Sequence, residues 1–297
     1  MSEPRNIGFV GLGAMGLPMA LNLVKKQFHV RGFDMKAEAL AALSHSGGHV
    51  AANAAEAAHA ADVLVLMVVN IAQAESVLFD AGALAALPEA ATVVLMATCP
   101  PNSVAALAKR VEATGRHFID APVSGGVVGA QGGTLTIMAA ASDEVIAANR
   151  PVLVAMGEKL FHVGLEAGQG AMVKTVNQLL CGVHIAAAAE GMALAEKAGI
   201  DGQVILDILG GSAASSWMLL NRGPRMVQDE PEVTSAVDIF VKDMSIVMDA
   251  GRASKAALPL AAAAHQMFLA ASAQGHGLKD DSQVVLTYRD LAGLKKH

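Results

Sequence analysis

Short runs of apolar and β-branched residues alternate with alanine-rich stretches along the first half of the chain. The run over residues 63–69 is apolar throughout, which predicts a strand covered on both faces, as in a parallel sheet. The intervening stretches 17–27 and 37–46 have the length of connecting helices, so the alternation predicts a doubly wound α/β sheet. The predicted strands are residues 7–10, 29–33, 63–69, 92–96, 117–120, 134–139 and 159–163.

Helical patterns replace the strand signals after residue 168. Residues 170–197 predict one helix of about 28 residues, or ~42 Å, with Gly199 as a candidate C-cap. Because 297 residues exceed the usual size of one core, we predict an α/β domain over 1–165 and an all-helical domain over 166–297. The further helices are predicted at 201–210, 235–252, 257–274 and 280–290.

Hydropathy and net charge restrict the kinds of partner that the protein is expected to bind. The mean hydropathy is high at +0.46, yet polar residues or glycines interrupt every apolar run well before the ~18 residues of a membrane span. The apolar surface is therefore expected inside the protein or between subunits. The formal charge is −6 and no block of like charges occurs, so we expect neither nucleic acid nor a membrane as a partner.

Cysteine usage and the amino terminus predict an intracellular protein. Cys99 and Cys181 do not form a CxxC pair, so neither a disulfide nor a thiolate metal site is predicted. The first residues lack a basic segment and a small-residue cleavage site, so we expect no export and a cytoplasmic location. No metal site is expected.

A glycine motif stands between the first predicted strand and the first predicted helix. Its first glycine permits a tight turn, the second lets a pyrophosphate approach the backbone, and the third allows close helix–strand packing. The amides at the start of the following helix would face the phosphates. This context predicts a Rossmann-type dinucleotide site at Gly11-Leu12-Gly13-Ala14-Met15-Gly16.

Asp34 follows the motif by about 20 residues, at the end of the second predicted strand. A carboxylate there accepts hydrogen bonds from the adenosine ribose and repels a 2′-phosphate, which favours NAD over NADP. The alternative is that Asp34 caps the helix that starts near Ala37. Arg31 lies close in sequence, but strand alternation should direct its side chain elsewhere.

Lys174 and Asn177 are three residues apart and share a face of the long predicted helix. We expect both side chains to point into an interdomain cleft. Burial of a lysine favours its neutral form, which is an effective proton acceptor. The alternative, a solvated surface lysine, is the commoner case for a single lysine on a helix.

The segment from Asp120 to Gly126 follows a predicted strand. Its Ser124, Gly125 and Gly126 can offer a hydroxyl and closely spaced amides to a carboxylate. The alternative is a simple strand-to-loop turn.

Four motifs occur in order along the chain and together resemble the β-hydroxyacid dehydrogenases, the family of 3-hydroxyisobutyrate dehydrogenase and its relatives. The resemblance extends over essentially the whole chain. The motifs are residues 8–16, residues 120–126, Gly168-Gln169-Gly170 with Lys174 and Asn177, and Lys242-Asp243 with Asp249.

The resemblance implies NAD as the cofactor, a small hydroxycarboxylate as the substrate, and hydride transfer with a lysine as acid/base. Lys174 would be the catalytic residue, and Lys242 would lie near the nicotinamide. Thr98 and Asn70 match cofactor-contacting positions, although either could be a capping or turn residue instead. The implied substrate contacts are Ser124, Gly125, Gly126 and Asn177.

Within the family, Ser216-Trp217-Met218 and residues 235–243 are most similar to the L-threonate dehydrogenase branch, which implies oxidation of a four-carbon sugar acid at C2. Departures from the commoner pattern at 68–70 and 96–99 leave the cofactor contacts there open. The alternatives are tartronate semialdehyde reduction, 3-hydroxyisobutyrate oxidation, and NAD sensing without turnover. Similar enzymes form oligomers, so a homodimer or homotetramer is implied.

Locations are also predicted for Trp217, His184 and Cys99. Trp217, the only tryptophan, either shapes a pocket or is buried in the core. His184 is predicted to be a core histidine, and Cys99 a small pocket-lining residue.

Overall fold

The computed structural model describes residues 5–294. They form two compact units that divide between Lys174 and Thr175. The division falls within one long helix, which begins in the first unit and continues in the second. The domain boundary at residue 165 stays a prediction.

The first unit is built on one sheet, in which six parallel strands run in the order β3-β2-β1-β4-β5-β6. Strand β8 pairs antiparallel with β6 and β7, and parallel with β9. This order confirms the predicted doubly wound α/β fold. The strands are β1 (Asn6–Val10), β2 (His29–Phe33), β3 (His49–Val50), β4 (Val63–Leu66), β5 (Thr92–Leu95), β6 (His117–Asp120), β7 (Val123–Ser124), β8 (Thr136–Ala140) and β9 (Lys159–Gly164).

Helices cover both faces of this sheet. In β4, Val63 and Val65 belong to the core on one face, whereas Leu64 and Leu66 belong to the core on the other. All four are fully buried, as the continuous apolar run predicted. The helices of the unit are α1 (Gly16–Lys25), α2 (Ala37–His45), α3 (Ala54–Ala58), α4 (Ile71–Glu75) with a π-helical turn at Ser76–Asp80, α5 (Ala83–Ala86), α6 (Pro101–Glu112), α7 (Gly126–Gly132), α8 (Asp143–Met156) and the start of α9 (Gln169–Lys197).

Strand β4 ends three residues before its predicted end. The side-chain oxygen of Asn70 accepts a hydrogen bond of 2.9 Å from the Gln73 amide, and the Gln73 side chain accepts one of 2.9 Å from the Val69 amide. These reciprocal bonds start α4 at Ile71, soon after the strand ends at Leu66. A local polar interaction therefore overrides the apolar run that predicted a strand to residue 69.

Helix α9 ends as the sequence predicted. Gly199 has a φ of +77°, its amide bonds to the Glu196 carbonyl, and the Ile200 amide bonds to the Ala195 carbonyl at 2.9 Å. These bonds form a Schellman motif, which a glycine adopts without steric cost. Helix α9 is long and apolar enough to cross a membrane, but half of its most apolar window is buried in the fold, and core helices meet the same criteria.

Within the described part of the second unit, the elements are helical, and a core that includes the stacked rings of Phe240 and Phe268, 5.1 Å apart, holds them together. The all-helical prediction is thus confirmed. Its helices after α9 are α10 (Gly202–Gly210), α11 (Trp217–Met226), α12 (Val237–Ser254), α13 (Pro259–Ala271) with a π-helical turn at Ser272–His276, and α14 (Val284–Leu291), which follows the 3-10 turn Asp281–Gln283.

Two sequence interpretations of core positions are wrong. His184 is exposed, whereas its neighbours Ile185 and Ala186 are buried in the core of the second unit. The side of α9 that carries His184 therefore faces away from that core. Trp217 starts α11 with 54% of its surface exposed, so it is not a buried core residue.

Candidate active site

Five parallel strands end in register at one edge of the sheet. Val10 pairs with Phe33 and with Leu66, Leu66 pairs with Leu95, and Leu95 pairs with Asp120. In open α/β sheets this edge, near the strand where the order reverses, is where ligands bind. The segments that follow these strands contain the glycine loop, Asp34, Asn70, Thr98 and Ser124.

The glycine loop leaves its backbone open to a ligand. Gly11 has a φ of +94°, and a side chain on Gly16 would collide with the carbonyl oxygen of Gly11. Gly13 is exposed, and a Cβ there would meet no atom within 4 Å. Met15 precedes α1 without a side-chain cap bond. This open backbone is compatible with the diphosphate of a dinucleotide, and the contact itself stays a prediction.

The Asp34 carboxylate joins two of the segments at this edge. It accepts hydrogen bonds from the amides of Leu12 at 2.6 Å and Lys36 at 2.9 Å. The capping alternative is wrong, because Lys36 occupies the N-cap position of α2. Arg31 is directed elsewhere, as strand alternation predicted: its guanidinium donates to the Glu56 carbonyl at 3.3 Å.

Asn70 and Thr98 follow β4 and β5. Both are partly exposed. Asn70 is the N-cap of α4, so the capping alternative holds for its side-chain oxygen; a cofactor contact of the same residue stays a prediction. Cys99 is 1% exposed and packs within a core cluster of the first unit, so its reading as a pocket-lining residue is wrong.

A buried carboxylate anchors the start of α9 to the end of β6. Asp120 is 1% exposed, and its Oδ2 accepts hydrogen bonds of 2.8 Å from the amides of Gly168 and Ala171. A Cβ on Gly170 would lie 2.5 Å from the Met138 carbonyl oxygen and 2.7 Å from that of Asp120. The glycine therefore permits the close seat of the helix on the strand.

Asp120 is part of the predicted substrate motif, and its contact with the start of α9 was not predicted from the sequence. The available signal was the pair of glycines at the start of α9 together with an acidic residue at a strand end. Burial raises the pKa of Asp120 from 3.8 to about 6, although the amides of Ala171, Gly168 and Gly170 lower it. Desolvation thus outweighs the favourable interaction with the helix start.

Lys174 lies one helical turn after Ala171 and belongs to the same compact unit as Asp120. Only 8% of its surface is exposed, so the alternative of a solvated surface lysine is wrong. Asn177 follows on the same face of α9 and is partly exposed. Its side-chain oxygen lies 3.8 Å from the Cys181 thiol, which donates to it.

The Ser124 loop turns sharply at two glycines. Ser124 pairs with Thr136 across β7 and β8 and is partly exposed. Gly125 and Gly126 have φ values of +130° and +62°, which turn their amides away from the strand path. This backbone is compatible with the predicted carboxylate site, which stays a prediction.

A second acidic residue holds Lys242 in the second unit. The ammonium of Lys242 lies 2.7 Å from Oδ1 of Asp243. Oδ2 of Asp243 accepts a hydrogen bond of 2.6 Å from Gln178 of α9. Asp249, seven residues after Lys242 on α12, is exposed and pairs with Arg252. Among residues 5–294, no group of three or more His, Cys, Asp or Glu could hold a metal ion.

Family models match both halves of the chain. Residues 6–164 match the NAD binding domain of 6-phosphogluconate dehydrogenase. Residues 168–288 match the model described as NAD-binding of NADP-dependent 3-hydroxyisobutyrate dehydrogenase.

Curated relatives are similar over nearly their whole length. The L-threonate dehydrogenase of Cupriavidus necator is 45% identical, with 95% of each chain covered. That of Escherichia coli K12 is 41% identical over 94% of this chain and 93% of its own. The 2-(hydroxymethyl)glutarate dehydrogenase of Eubacterium barkeri is 34% identical over 99% of this chain and 98% of its own.

Solved structures share the fold. A 3-hydroxyisobutyrate dehydrogenase from Salmonella typhimurium superposes with a TM-score of 0.91 at 40% identity, covering 94% of this chain and 98% of its own. The 3-hydroxyisobutyrate dehydrogenase of Mycobacterium tuberculosis, solved with L-serine, gives 0.82 at 32% identity, covering 96% and 99%.

Asp120→Asn tests the buried carboxylate. Because the pKa of Asp120 is about 6 in the folded protein against 3.8 ordinarily, the folded state keeps a proton that the unfolded chain releases between these values. This carboxyl therefore lowers wild-type stability as the pH rises from about 4 to 6, by up to ~3 kcal/mol. Urea unfolding from pH 4 to 7 should show the variant gaining stability relative to wild type. A difference that stays constant with pH would contradict the buried, desolvated carboxylate.

Proposed function

Because the chain belongs to the NAD-dependent hydroxyacid dehydrogenase family of 3-hydroxyisobutyrate dehydrogenase and its relatives, we propose that it oxidises L-threonate at C2 to the 2-oxo acid, 2-dehydro-L-erythronate. The observation that carries a catalytic site is the buried lysine, Lys174, at one turn from the anchored start of α9. Lysine side chains are seldom buried, so the burial of this one supports a functional role rather than a contribution to surface solubility.

The relatives support L-threonate as the substrate. Those named L-threonate dehydrogenase come from several bacteria, at 45% identity for Cupriavidus necator and 39% for Haemophilus influenzae, and each aligns over nearly the whole chain. The sequence resemblance to this branch at Ser216-Trp217-Met218 points the same way.

Lys174 is the proposed acid/base. In the oxidation its neutral amine would accept the proton of the substrate C2 hydroxyl. Ser124, with the amides of Gly125 and Gly126, would bind the substrate carboxylate, and Asn177 would orient the hydroxyl. NAD, when bound, supplies the hydride acceptor. These residues thus contribute orientation and proton transfer.

The cofactor would lie along the edge where the strands end. The loop from Gly11 to Gly16 would bind the diphosphate and Asp34 the adenosine ribose. The negative charge of Asp34 supports NAD rather than NADP. The other proposed cofactor contacts are Asn70, Thr98 and Lys242.

A second candidate is oxidation of 3-hydroxyisobutyrate. It is favoured by the similarity to the Salmonella typhimurium protein, which is named for that activity. The same lysine would accept the hydroxyl proton. In 3-hydroxyisobutyrate that hydroxyl is on C3, one carbon farther from the carboxylate than the C2 hydroxyl of L-threonate, so the two candidates differ in the carbon oxidised as well as in the shape and polarity that the substrate pocket recognises.

We also propose a cytoplasmic homodimer or homotetramer. Apolar side chains on one side of α9 support subunit packing, because Met172, Val176 and Leu180 are 40%, 55% and 49% exposed. Light scattering after size-exclusion chromatography measures the assembly directly.

The substrate is tested with purified protein, NAD and a panel of hydroxyacids. We expect initial NADH formation to have its highest kcat/KM with L-threonate, ahead of D-erythronate, D-glycerate and 3-hydroxyisobutyrate. Preference for 3-hydroxyisobutyrate would keep the mechanism but assign the second candidate. Tight NAD binding without turnover on any member would contradict the proposed function.

Asp34→Asn tests the cofactor assignment. The amide keeps an oxygen for the Leu12 amide but removes the charge that repels a 2′-phosphate and strengthens the ribose hydrogen bond. We expect the ratio of kcat/KM for NAD to that for NADP to fall by ~10-fold or more, since a hydrogen bond to a charged group contributes about 1.5–3 kcal/mol. The kcat at saturating NAD should change little. An unchanged cofactor ratio would refute the ribose contact.

A further inference from the structure

We propose that Asp120 is a positioning residue for the reaction: its carboxylate fixes Lys174 relative to the Ser124 loop by binding the first amides of α9. This inference rests on the proposed role of Lys174 and adds a residue to that site. The inference gives Asp120 no proton-transfer step of its own.

Asp120 connects the two parts of the proposed site through short links. Toward the lysine, Oδ2 holds the amides of Gly168 and Ala171 at 2.8 Å. Lys174 follows three positions after Ala171 in continuous helix, or ~4.5 Å along the axis.

The link toward the substrate loop runs through the backbone that follows Asp120. Asp120 ends β6, where the following Ala121 amide bonds to the Leu95 carbonyl at 2.8 Å. The Met138 amide bonds to the Pro122 carbonyl at 3.0 Å, and Ser124 pairs with Thr136. The strand end and the loop are therefore fixed to the sheet.

The helix start has no room to shift toward the sheet. The Cα of Gly170 is packed against the carbonyls of Met138 and Asp120 so closely that a Cβ would lie 2.5 Å and 2.7 Å from their oxygens. On another side, a Cβ on Gly168 would lie 2.9 Å from the Pro101 carbonyl oxygen. These close contacts fix how near α9 lies to the sheet, and the hydrogen bonds to Asp120 fix its position along its own axis.

Stability alone does not account for an aspartate at this position. Burial raises the pKa of Asp120 to about 6, so near neutral pH the folded protein holds an ionised group that it disfavours. An asparagine would supply an acceptor oxygen without that penalty. Groups kept at an energetic disadvantage are concentrated at functional sites, and displacing a catalytic group by about 1 Å can lower a rate ~100-fold.

The test compares Asp120→Ala, Asp120→Asn and Ser142→Ala. Ser142 caps α8 in the same compact unit by accepting a hydrogen bond from the Val145 amide, and it has no role in the proposed site. Each variant is assayed for kcat, for KM of the hydroxyacid and of NAD, and for the isotope effect on kcat with substrate deuterated at the carbon bearing the hydroxyl.

We expect Asp120→Ala to lower kcat by ~10- to 100-fold, to raise the KM of the hydroxyacid, and to leave the KM of NAD within ~2-fold. Its isotope effect should increase, because a displaced Lys174 makes the chemical step slower than product release. Asp120→Asn should have a kcat between those of wild type and Asp120→Ala, since its neutral oxygen still accepts from both amides but binds them less strongly than a carboxylate does. Ser142→Ala should match wild type.

A purely structural role gives a different pattern. Partial unfolding lowers the measured rate, but the remaining folded molecules keep the wild-type KM and isotope effect. That result for Asp120→Ala, or an equal response of Ser142→Ala, would overturn the inference.

An assay without turnover separates this inference from the proposed function. The rate at which an amine-acylating reagent modifies Lys174, followed by peptide mass spectrometry, should change at least ~5-fold in Asp120→Ala and not in Ser142→Ala. If wild type oxidises no hydroxyacid, the proposed function fails, and this labelling rate still decides the role of Asp120. An unchanged rate in Asp120→Ala overturns it.

Discussion

The common end of the parallel strands is the constraint on which the rest of the first unit depends. Because the hydrogen-bonded register runs from Phe33 through Val10, Leu66 and Leu95 to Asp120, each following loop leaves the sheet at the same edge. The glycine loop, the ribose-binding candidate Asp34 and the Ser124 loop thus lie along the same edge of the sheet by backbone geometry. The polar residues of the proposed site lie on short segments that follow the strands, and the buried apolar sheet holds these segments in place.

Helix α9 takes its position from two buried carboxylates. Asp120 binds its first amides, and Asp243 binds Gln178 while pairing with Lys242. Each carboxylate is removed from water and satisfied by polar groups that belong to the proposed site or adjoin it. Lys174 lies one helical turn after the Ala171 amide that Asp120 binds, which supports its proposed role in proton transfer.

Local signals predicted most of the fold, and the features that were missed have both long-range and local causes. Strand β6 and the end of α9 at Gly199 follow from residues adjacent in sequence. The role of Asp120 did not, because its partner Gly168 lies 48 residues away. His184 was predicted to be in the core because alanines on all sides of α9 make its buried face hard to identify from the sequence. Strand β4 was predicted to be too long because the run is apolar up to Val69, and the local cap formed by Asn70 was not recognised.

The most direct test of the central claim is the reaction of Lys174→Ala with a saturating concentration of the best hydroxyacid and NAD. General acid–base catalysis contributes ~10²- to 10⁴-fold, so NADH formation should fall by about that factor while the Kd for NAD stays within ~2-fold of wild type. NADH formation near the wild-type rate would contradict the account, because Lys174 would then not be the group that accepts the substrate proton.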